Sequence, residues 1–345
     1  MQADDTSVTA DPPLAPQITG SAGGVRFYLT NEFGLAVLIV LFAAIFYALT
    51  PGFLSPFNQF ALGRTAAVNI LIGFSMMAVI VTGGLNLAVG AIGACAAMTC
   101  GWLLESMGVP WPLAVLGGLA LGAGLGLVNG WTVVVTGLHS FIITLASMSI
   151  FFGAMIFLTR AESYRGFPPA FSDFGRMKIF GVLSPLLLVA VAVGIALILL
   201  YRFTAIGREM LAAGARPDAA ELSGVRVGRA IMLCHALSGL ITAIAAMLVV
   251  ARNGAAIPSM AGQLGQDWLL PAFLGPVLGG TLLTGGKVSV LGTFLGALLV
   301  TMLTNGLLLQ QVGEFWIQTV LGLLLLLAVF IDKARRSFLA RRRMV

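Results

Sequence analysis

Ten apolar runs, near residues 34–50, 65–82, 87–104, 111–135, 140–159, 183–201, 230–251, 268–283, 288–309 and 315–331, contain no Asp, Glu, Lys or Arg. Crossing a bilayer takes about 20 apolar residues, and inside hydrocarbon every backbone polar group needs an internal partner. The runs therefore predict an all-α integral membrane protein of about ten transmembrane helices. Composition agrees, with 59% of residues hydrophobic and only 9% charged, too little charge to keep a soluble domain dissolved. The second and eighth runs are short or broken by Gly and Pro ("DWLLPAFLGPVLGG") and are the expected irregular helices, tolerated only where backbone is covered by protein or lines a cavity.

Gly118, Gly122, Gly126 and Gly130 recur every fourth residue in the fourth run. One glycine face lets another backbone approach closely, so this helix is expected to be central rather than lipid-facing. Gly292 and Gly296 repeat the spacing once. "GGLNLAVG" (83–90) and "GGTLLTGG" (279–286) read as the same kind of cytosolic glycine turn in two halves of the chain, a weak sign of an internal repeat.

Ten spans return the chain to its starting side, and the charge bias decides which side that is. With the N-terminus inside, the inner set is Arg26, Arg202, Arg208, Arg216, Arg226, Arg229, Lys287, Lys333, Arg335, Arg336, Arg341, Arg342 and Arg343. The outer set is only Arg64, Arg160, Arg165, Arg176, Lys178 and Arg252. Both termini are thus expected in the cytosol of a cell whose inner membrane the chain crosses. Residues 1–32 are polar and Pro-containing, without the basic and apolar regions of a cleaved signal, and read as a disordered cytosolic tail. The ten-span membrane body is 33–332, and 333–345 is a basic cytosolic tail attracted to anionic membrane lipid. No nucleic-acid partner is expected. Cys95, Cys100 and Cys234 lie in apolar runs and suggest neither disulfide nor metal site; His139 and His235 are isolated and read as packing or hydrogen-bonding residues.

Transport chemistry is narrowed by what the spans lack. An ion-coupled carrier normally keeps an ionisable side chain within the membrane, and none of the runs has one. Nor is there a phosphate loop of the form G-x-x-x-x-G-K-[ST]: the nearest stretch, "GGTLLTGGKVS", has Thr281 in place of the first Gly and Val288 after Lys287. Any energy from ATP must come from another subunit. Seven of the 32 charged residues fall within 207–229, "GREMLAAGARPDAAELSGVRVGR", inside the cytosolic segment 202–229. Pro217 suits a first helical position, Asp218 suits a helix N-terminus and Gly224 suits its end. A two-turn helix parallel to the membrane fits, with Ala219 and Ala220 as a small face for a groove and Arg216 and Glu221 at its rim. The alternative is an ordinary charged loop.

Five stretches in order carry a resemblance: "GGLNLAVGA" (83–91), "NGWTVVVTGLHSFIITLASMSI" (129–150), "GREMLAAGARPDAAELSGVRV" (207–227), "VLGGTLLTGGKVSVLGTFLGAL" (277–298) and "NGLLLQQVGEFWIQTVLGLLLLLAVFID" (305–332). From about residue 33 onward the chain resembles the permease subunit of bacterial ABC sugar importers of the ribose, xylose and galactose type. The resemblance implies the type II importer permease fold and a second permease subunit, identical or not. It also implies two cytosolic ATP-binding subunits and a periplasmic sugar-binding protein. The family's ATPase-docking coupling helix maps onto Gly207, Arg208, Ala212, Gly214, Ala219, Ala220, Ser223 and Gly224, with Arg216, Pro217, Asp218 and Glu221 between them. Two departures stand out: Asn86 and Ala88 replace the family's usual Asp and Ser, and "WLLPAFLGP" lacks the acidic residues common before the eighth-span glycines.

The function so implied is import of a monosaccharide by alternating access, with no covalent chemistry in this chain and ATP and Mg²⁺ used by the partner. Permeases for branched-chain amino acids or nucleosides, and an ATP-independent facilitator, are the competing readings. A sugar pathway needs hydroxyl-compatible groups and aromatic faces in weak, reversible contact. Its candidates are Asn69, Phe74, Asn86, Asn129, Phe141, Thr144, Trp268 and Asn305. For each Asn the alternative is helix-to-helix hydrogen bonding, for Trp268 an interfacial anchor, and for Phe141 lipid contact or packing. The outer loop 160–182, with Arg165, Arg176 and Lys178, is either a docking surface for the binding protein or an amphipathic element on the membrane.

Overall fold

The computed structural model describes residues 31–313, 315–327 and 330, so the expectations for the two tails lie outside the described residues. Among the described residues the regular elements are all helices. In order the helices are α1 (Asn31–Leu49), α2 (Pro56–Ile80), α3 (Val89–Glu105), α4 (Trp111–Thr136), α5 (Ser140–Thr159), α6 (Pro169–Arg176), α7 (Pro185–Phe203), α8 (Ala205–Ala215), α9 (Pro217–Leu222), α10 (Val227–Asn253), α11 (Leu269–Leu278), α12 (Val290–Leu309) and α13 (Phe315–Leu327). Seven of the described helices are long and apolar enough to cross a membrane, and α3 and α13 are shorter apolar helices. With the ten-residue α11 they account for all ten apolar runs.

Two helices form the centre. Within their most apolar stretches α2 is 83% buried and α10 is 72% buried, against 11% for α1 and 22% for both α4 and α5. Hydroxyls stitch α2 to α10: the Ser75 Oγ lies 2.8 Å from Ser238 Oγ and 2.7 Å from Thr242 Oγ1, with all three residues fully buried. The second run is therefore not irregular. It lies within a continuous 25-residue helix whose N-cap Ser55 accepts from Asn58 N–H and whose first residue is Pro56. Its glycines are accommodated by neighbours: Gly73 faces Gly275 and Thr293.

The break lies one segment later. Between α2 and α3 the chain runs non-helically through 84–86, and Asn86, Leu87 and Ala88 are buried. The eighth run is broken as expected. Its approach is a 3-10 turn, Gln263–Trp268, with Leu264 and Gly265 in left-handed conformations (φ 56° and 80°), followed by the short α11 with Pro276 inside it. Gly90 at the start of α3 and Gly265 of that turn meet so closely that a Cβ on either would overlap the other's backbone. The two interruptions thus face each other.

The glycine face of α4 packs on α10, as its spacing suggests. A Cβ at Gly122 would lie 2.8 Å from the Gly239 carbonyl oxygen, and one at Gly130 would lie 2.8 Å from the Met232 Cα. But α4 is not central. The stripe covers a single face, and Leu116, Val128, Trp131 and Val135 on the rest of the helix are exposed in this chain. Gly275 and Gly279 of the α11 end similarly receive Gly292 and Gly296 of α12. The outer segment 160–182 contains α6, whose Phe171 is buried with its ring 5.9 Å from Trp111 and whose Gly175 abuts the Ala251 carbonyl. It packs on α10 rather than standing free. All three cysteines are free and buried.

Gly122→Leu forces a branched side chain into a backbone-to-backbone contact and is expected to destabilise by about 1–3 kcal/mol. Gly124→Ala, where a Cβ meets nothing within 4 Å, is expected to be neutral or to stabilise by up to about 1 kcal/mol through helix propensity. Thermal melting of the purified chain in detergent distinguishes the two.

Candidate functional site

The charged stretch 207–229 folds as two short helices at one end of the bundle. Thr204 caps α8, its Oγ1 accepting from Gly207 N–H at 3.0 Å, and a Cβ at Gly207 would collide with the Leu200 carbonyl. Extended Arg216 (φ −153°) breaks the helix, and α9 begins at once with Pro217, whose missing N–H costs nothing at a first helical position. Six residues later Ser223 N–H returns to Ala219 O, and Gly224, at φ 84°, turns the chain toward α10.

The face that α9 presents differs from the one expected. Ala220 turns inward and is buried at 7% exposure, while Leu222 is 91% exposed. Asp218, Ala219, Glu221 and Ser223 are exposed beside it. Leu222 was missed in the sequence, although an apolar residue isolated among seven charges is itself the signal. An apolar side chain ringed by Asp and Glu at a helix end suits insertion into a pocket of a partner with a polar rim.

Behind this helix the C-terminal end of α8 enters a three-way backbone junction. Gly286 N–H donates to Val81 O at 2.9 Å, joining the end of α2 to the glycine turn that precedes α12. Gly285 and Gly286 occupy left-handed conformations (φ 86° and 77°), which glycine adopts without steric cost. Gly214 fills the remaining corner: a Cβ there would overlap Val81 O and stand 2.7 Å from Gly286 N. The two glycine turns seen in the sequence, around 83 and 285, therefore touch each other and α8. The Gly214 end of α8 is thus in direct backbone contact with the end of α2 and with the turn that leads into α12.

The candidate pathway residues do not form one cluster. Asn86 and Thr144 come together at the break between α2 and α3. Leu87 N–H donates to Thr144 Oγ1 at 3.0 Å, and Thr144 Oγ1 in turn lies 3.2 Å from Leu85 O. Leu85 N–H donates to Ser140 Oγ at 2.8 Å and Ala88 N–H to Asn86 Oδ1 at 3.0 Å. With its Oδ1 an acceptor, the Asn86 amide donates through Nδ2 to Ser238 Oγ, 2.9 Å away. Asn69 donates to Thr301 Oγ1 at 3.0 Å, and Asn305 exchanges two 3.0 Å amide bonds with Asn58; both hold α2 against α12. Phe74 is fully buried, with its ring edge facing Gly194, and Trp268, although it stands at the start of α11, is 7% exposed and packs on Gly93 in the interior. Phe141 is 44% exposed at the start of α5, where His139 Nδ1 caps the helix. Asn129 is completely buried on α4, and neither its Nδ2 nor its Oδ1 has a partner among the described residues.

At the opposite end of the bundle four cations converge. Arg64, 16 residues before the end of α2 and so about 24 Å away, donates from Nη2 to Arg252 O at 3.0 Å. The Arg64 guanidinium and Lys178 ammonium lie 5.4 and 5.3 Å from the centroid of Phe60. The Arg176 Nη2 is 3.1 Å from where a Cβ would sit on Gly254. Arg165 sits beside Glu105, which accepts its backbone N–H at 2.8 Å.

This architecture has known relatives. Residues 58–330 match the family model described as "Branched-chain amino acid transport system / permease component". The chain belongs to this permease family. It is 35% identical over 316 residues to the ribose import permease protein RbsC of Bacillus subtilis, covering 91% of this chain and 95% of that protein. It is 33% identical over 306 residues to the autoinducer 2 import system permease protein LsrD of Escherichia coli K12, covering 86% and 90% respectively. No solved structure matches it. The all-α membrane fold and the role of an ABC importer permease, a transport component rather than an enzyme, follow from family membership and the apolar helices.

Thr144→Val would strip the partner from Leu87 N–H inside the bundle and is expected to destabilise by about 1–3 kcal/mol, while Thr144→Ser keeps the hydroxyl and most of the stability. Amide hydrogen exchange over residues 83–88 should rise in the Val variant and stay close to wild type in the Ser variant.

Proposed function

We propose that this chain is the permease subunit of an importer for a monosaccharide or a small sugar-like polyol, driven by two separate ATP-binding subunits and supplied by a soluble binding protein. The observation that carries the mechanism is the junction of Gly214, Val81 and Gly286, which gives the α8–α9 segment direct purchase on two central helices. Closure of the ATP-binding subunits around α9 shifts α8, and the ends of α2 and α12 follow because the backbones are already in contact. Alternating exposure of a pathway between two permease subunits, identical or different, is the result. Sugar as the cargo is supported by the ribose and autoinducer 2 import systems named for the relatives. The chain itself holds no nucleotide or metal in this reading, and ATP with Mg²⁺ belongs to the partner.

The excess of Lys and Arg at the α8–α9 end supports placing that end, and both termini, in the cytosol of the inner membrane. The cation cluster of Arg64, Arg176, Lys178 and Arg252 then faces the periplasm, where carboxylates on a binding protein would be attracted. Arg208 within α8 and Arg216 just after it suit the acidic rim of an ATP-binding subunit, with Gly207 and Gly214 allowing α8 its close contacts and Gly224 setting the bend after α9. Asn69, Phe74, Asn86, Asn129, Phe141, Thr144, Trp268 and Asn305 remain the proposed pathway residues; Asn129 is completely buried, so helix movement would have to uncover its amide before it met a hydroxyl.

Proteoliposomes test the assignment. Uptake of the binding protein's sugar should require the ATP-binding subunit and ATP, and equal uptake by this chain alone would sink the reading. Because the family description names branched-chain amino acids, competition by leucine and by ribose separates the two cargo classes. Leu222→Glu is expected to lower recovery of the ATP-binding subunit on co-purification about tenfold or more, with the variant's melting temperature unchanged because the side chain is solvent-exposed.

A further inference from the structure

A cavity of about 420 Å³ lies between the end of α7, α8 and the first turn of α12. Its walls mix two kinds of chemistry. Tyr201, Arg202, Lys287 and Ser289 line one part, and Ile198 and Leu211 line another. Arg202 and Lys287 are exposed, so both are free to swing toward a ligand. Tyr201 is 6% exposed and contributes a wall of the cavity, its hydroxyl buried away from the open space.

The start of α12 adds a helix dipole. Ser289 is its N-cap, accepting from Gly292 N–H at 2.9 Å and donating its own hydroxyl to Glu32 at 2.8 Å. The positive end of a 20-residue helix therefore opens on the cavity. The local charge is two cations against the single carboxylate of Glu32, leaving a net attraction for an anion. The apolar walls decide which anion. Ile198 and Leu291, also in the lining, are 39% and 55% exposed on the membrane-spanning faces of α7 and α12, continuous with the surface that meets acyl chains.

We propose that this cavity binds the phosphate of an anionic phospholipid, with Arg202 and Lys287 on the headgroup and the chains lying along Ile198 and Leu291. Leu211 belongs to α8, and Gly286, also in the lining, abuts Ala215 at the α8 end of the junction. A lipid held here braces α8 against α12. This consequence rests on 202–229 being the coupling segment; the binding itself does not.

The test uses the purified full chain and native mass spectrometry with added phosphatidylglycerol or phosphatidylcholine. Phosphatidylglycerol should be retained preferentially, and the double variant Arg202→Gln/Lys287→Gln should lower its retention about 30-fold. An unchanged melting temperature in the double variant, whose two side chains are exposed, separates lost binding from lost folding. Arg160→Gln, remote from the cavity, serves as the control and should retain the lipid as wild type does. Equal retention of the two lipids, or insensitivity to the double variant, would overturn the proposal. Displacement by inorganic phosphate as effective as that by competing lipid would overturn the lipid assignment and point to a soluble phosphate. Failure of ATP-driven uptake with lipid binding intact would count against the coupling reading and leave the lipid site standing.

Discussion

Unpaired backbone cannot remain in hydrocarbon, and the structure turns on how this chain meets that demand where α2 gives way to α3. Without water, each free N–H or C=O there would cost several kcal/mol. Ser140, Thr144 and Asn86 supply the missing partners for Leu85, Leu87 and Ala88. These same bonds fix α5 against the break, and Asn86 ties the break to α10 through Ser238. Once the interruption is held on both sides, α3 can start where Gly90 meets Gly265, which positions the second broken segment and α11 behind it. The central packing thus follows from a small set of hydroxyl and amide bonds rather than from apolar contact, which in a membrane does little to distinguish one helix arrangement from another.

That logic also explains what could be read from the sequence. Apolar runs free of charge located the seven described helices long and apolar enough to cross a membrane and the three shorter apolar ones, since hydropathy depends on composition alone. Pro217 and Gly224 marked the ends of α9 because their backbone preferences are local. The glycine stripe of α4 revealed a close contact but not its extent, because spacing reports one face and says nothing of the other three-quarters of the helix. The location of the first break was misjudged for a related reason. The glycines within α2 suggested a break, yet glycine in a membrane helix is equally a packing residue, and only Gly275 and Thr293, more than 200 positions away, decide between them. The partnership of Asn69 with Thr301 is likewise invisible without the fold. Orientation of a side chain on a six-residue helix is more elusive still: Ala220 and Leu222 exchange the roles expected from size, because Val225 N–H returns to Ala220 O and pulls that residue beneath the turn.

The coupling machinery is economical in side chains. Gly214, Gly285 and Gly286 act through what they lack, letting three strands of backbone touch where any Cβ would hold them apart. Contact of this kind is stiff, since main chain has no rotamers to absorb a displacement. The arrangement suits the conversion proposed above, of movement at α9 into movement of α2 and of the turn that leads into α12.

The reciprocal amide bonds between Asn58 and Asn305 bear on how the chain is made. The two residues are separated by 247 positions, and Ser75 and Asn69 of the same helix wait for partners 163 and 232 positions later. At a synthesis rate of about 5–20 residues per second, α2 leaves the ribosome about 10–50 s before α12 exists. During that interval the most buried helix of the finished protein carries its polar groups without their final partners, while lipid alone cannot satisfy them. Biogenesis must therefore keep α2 in the shelter of the insertion machinery, or of α1, until the second half arrives.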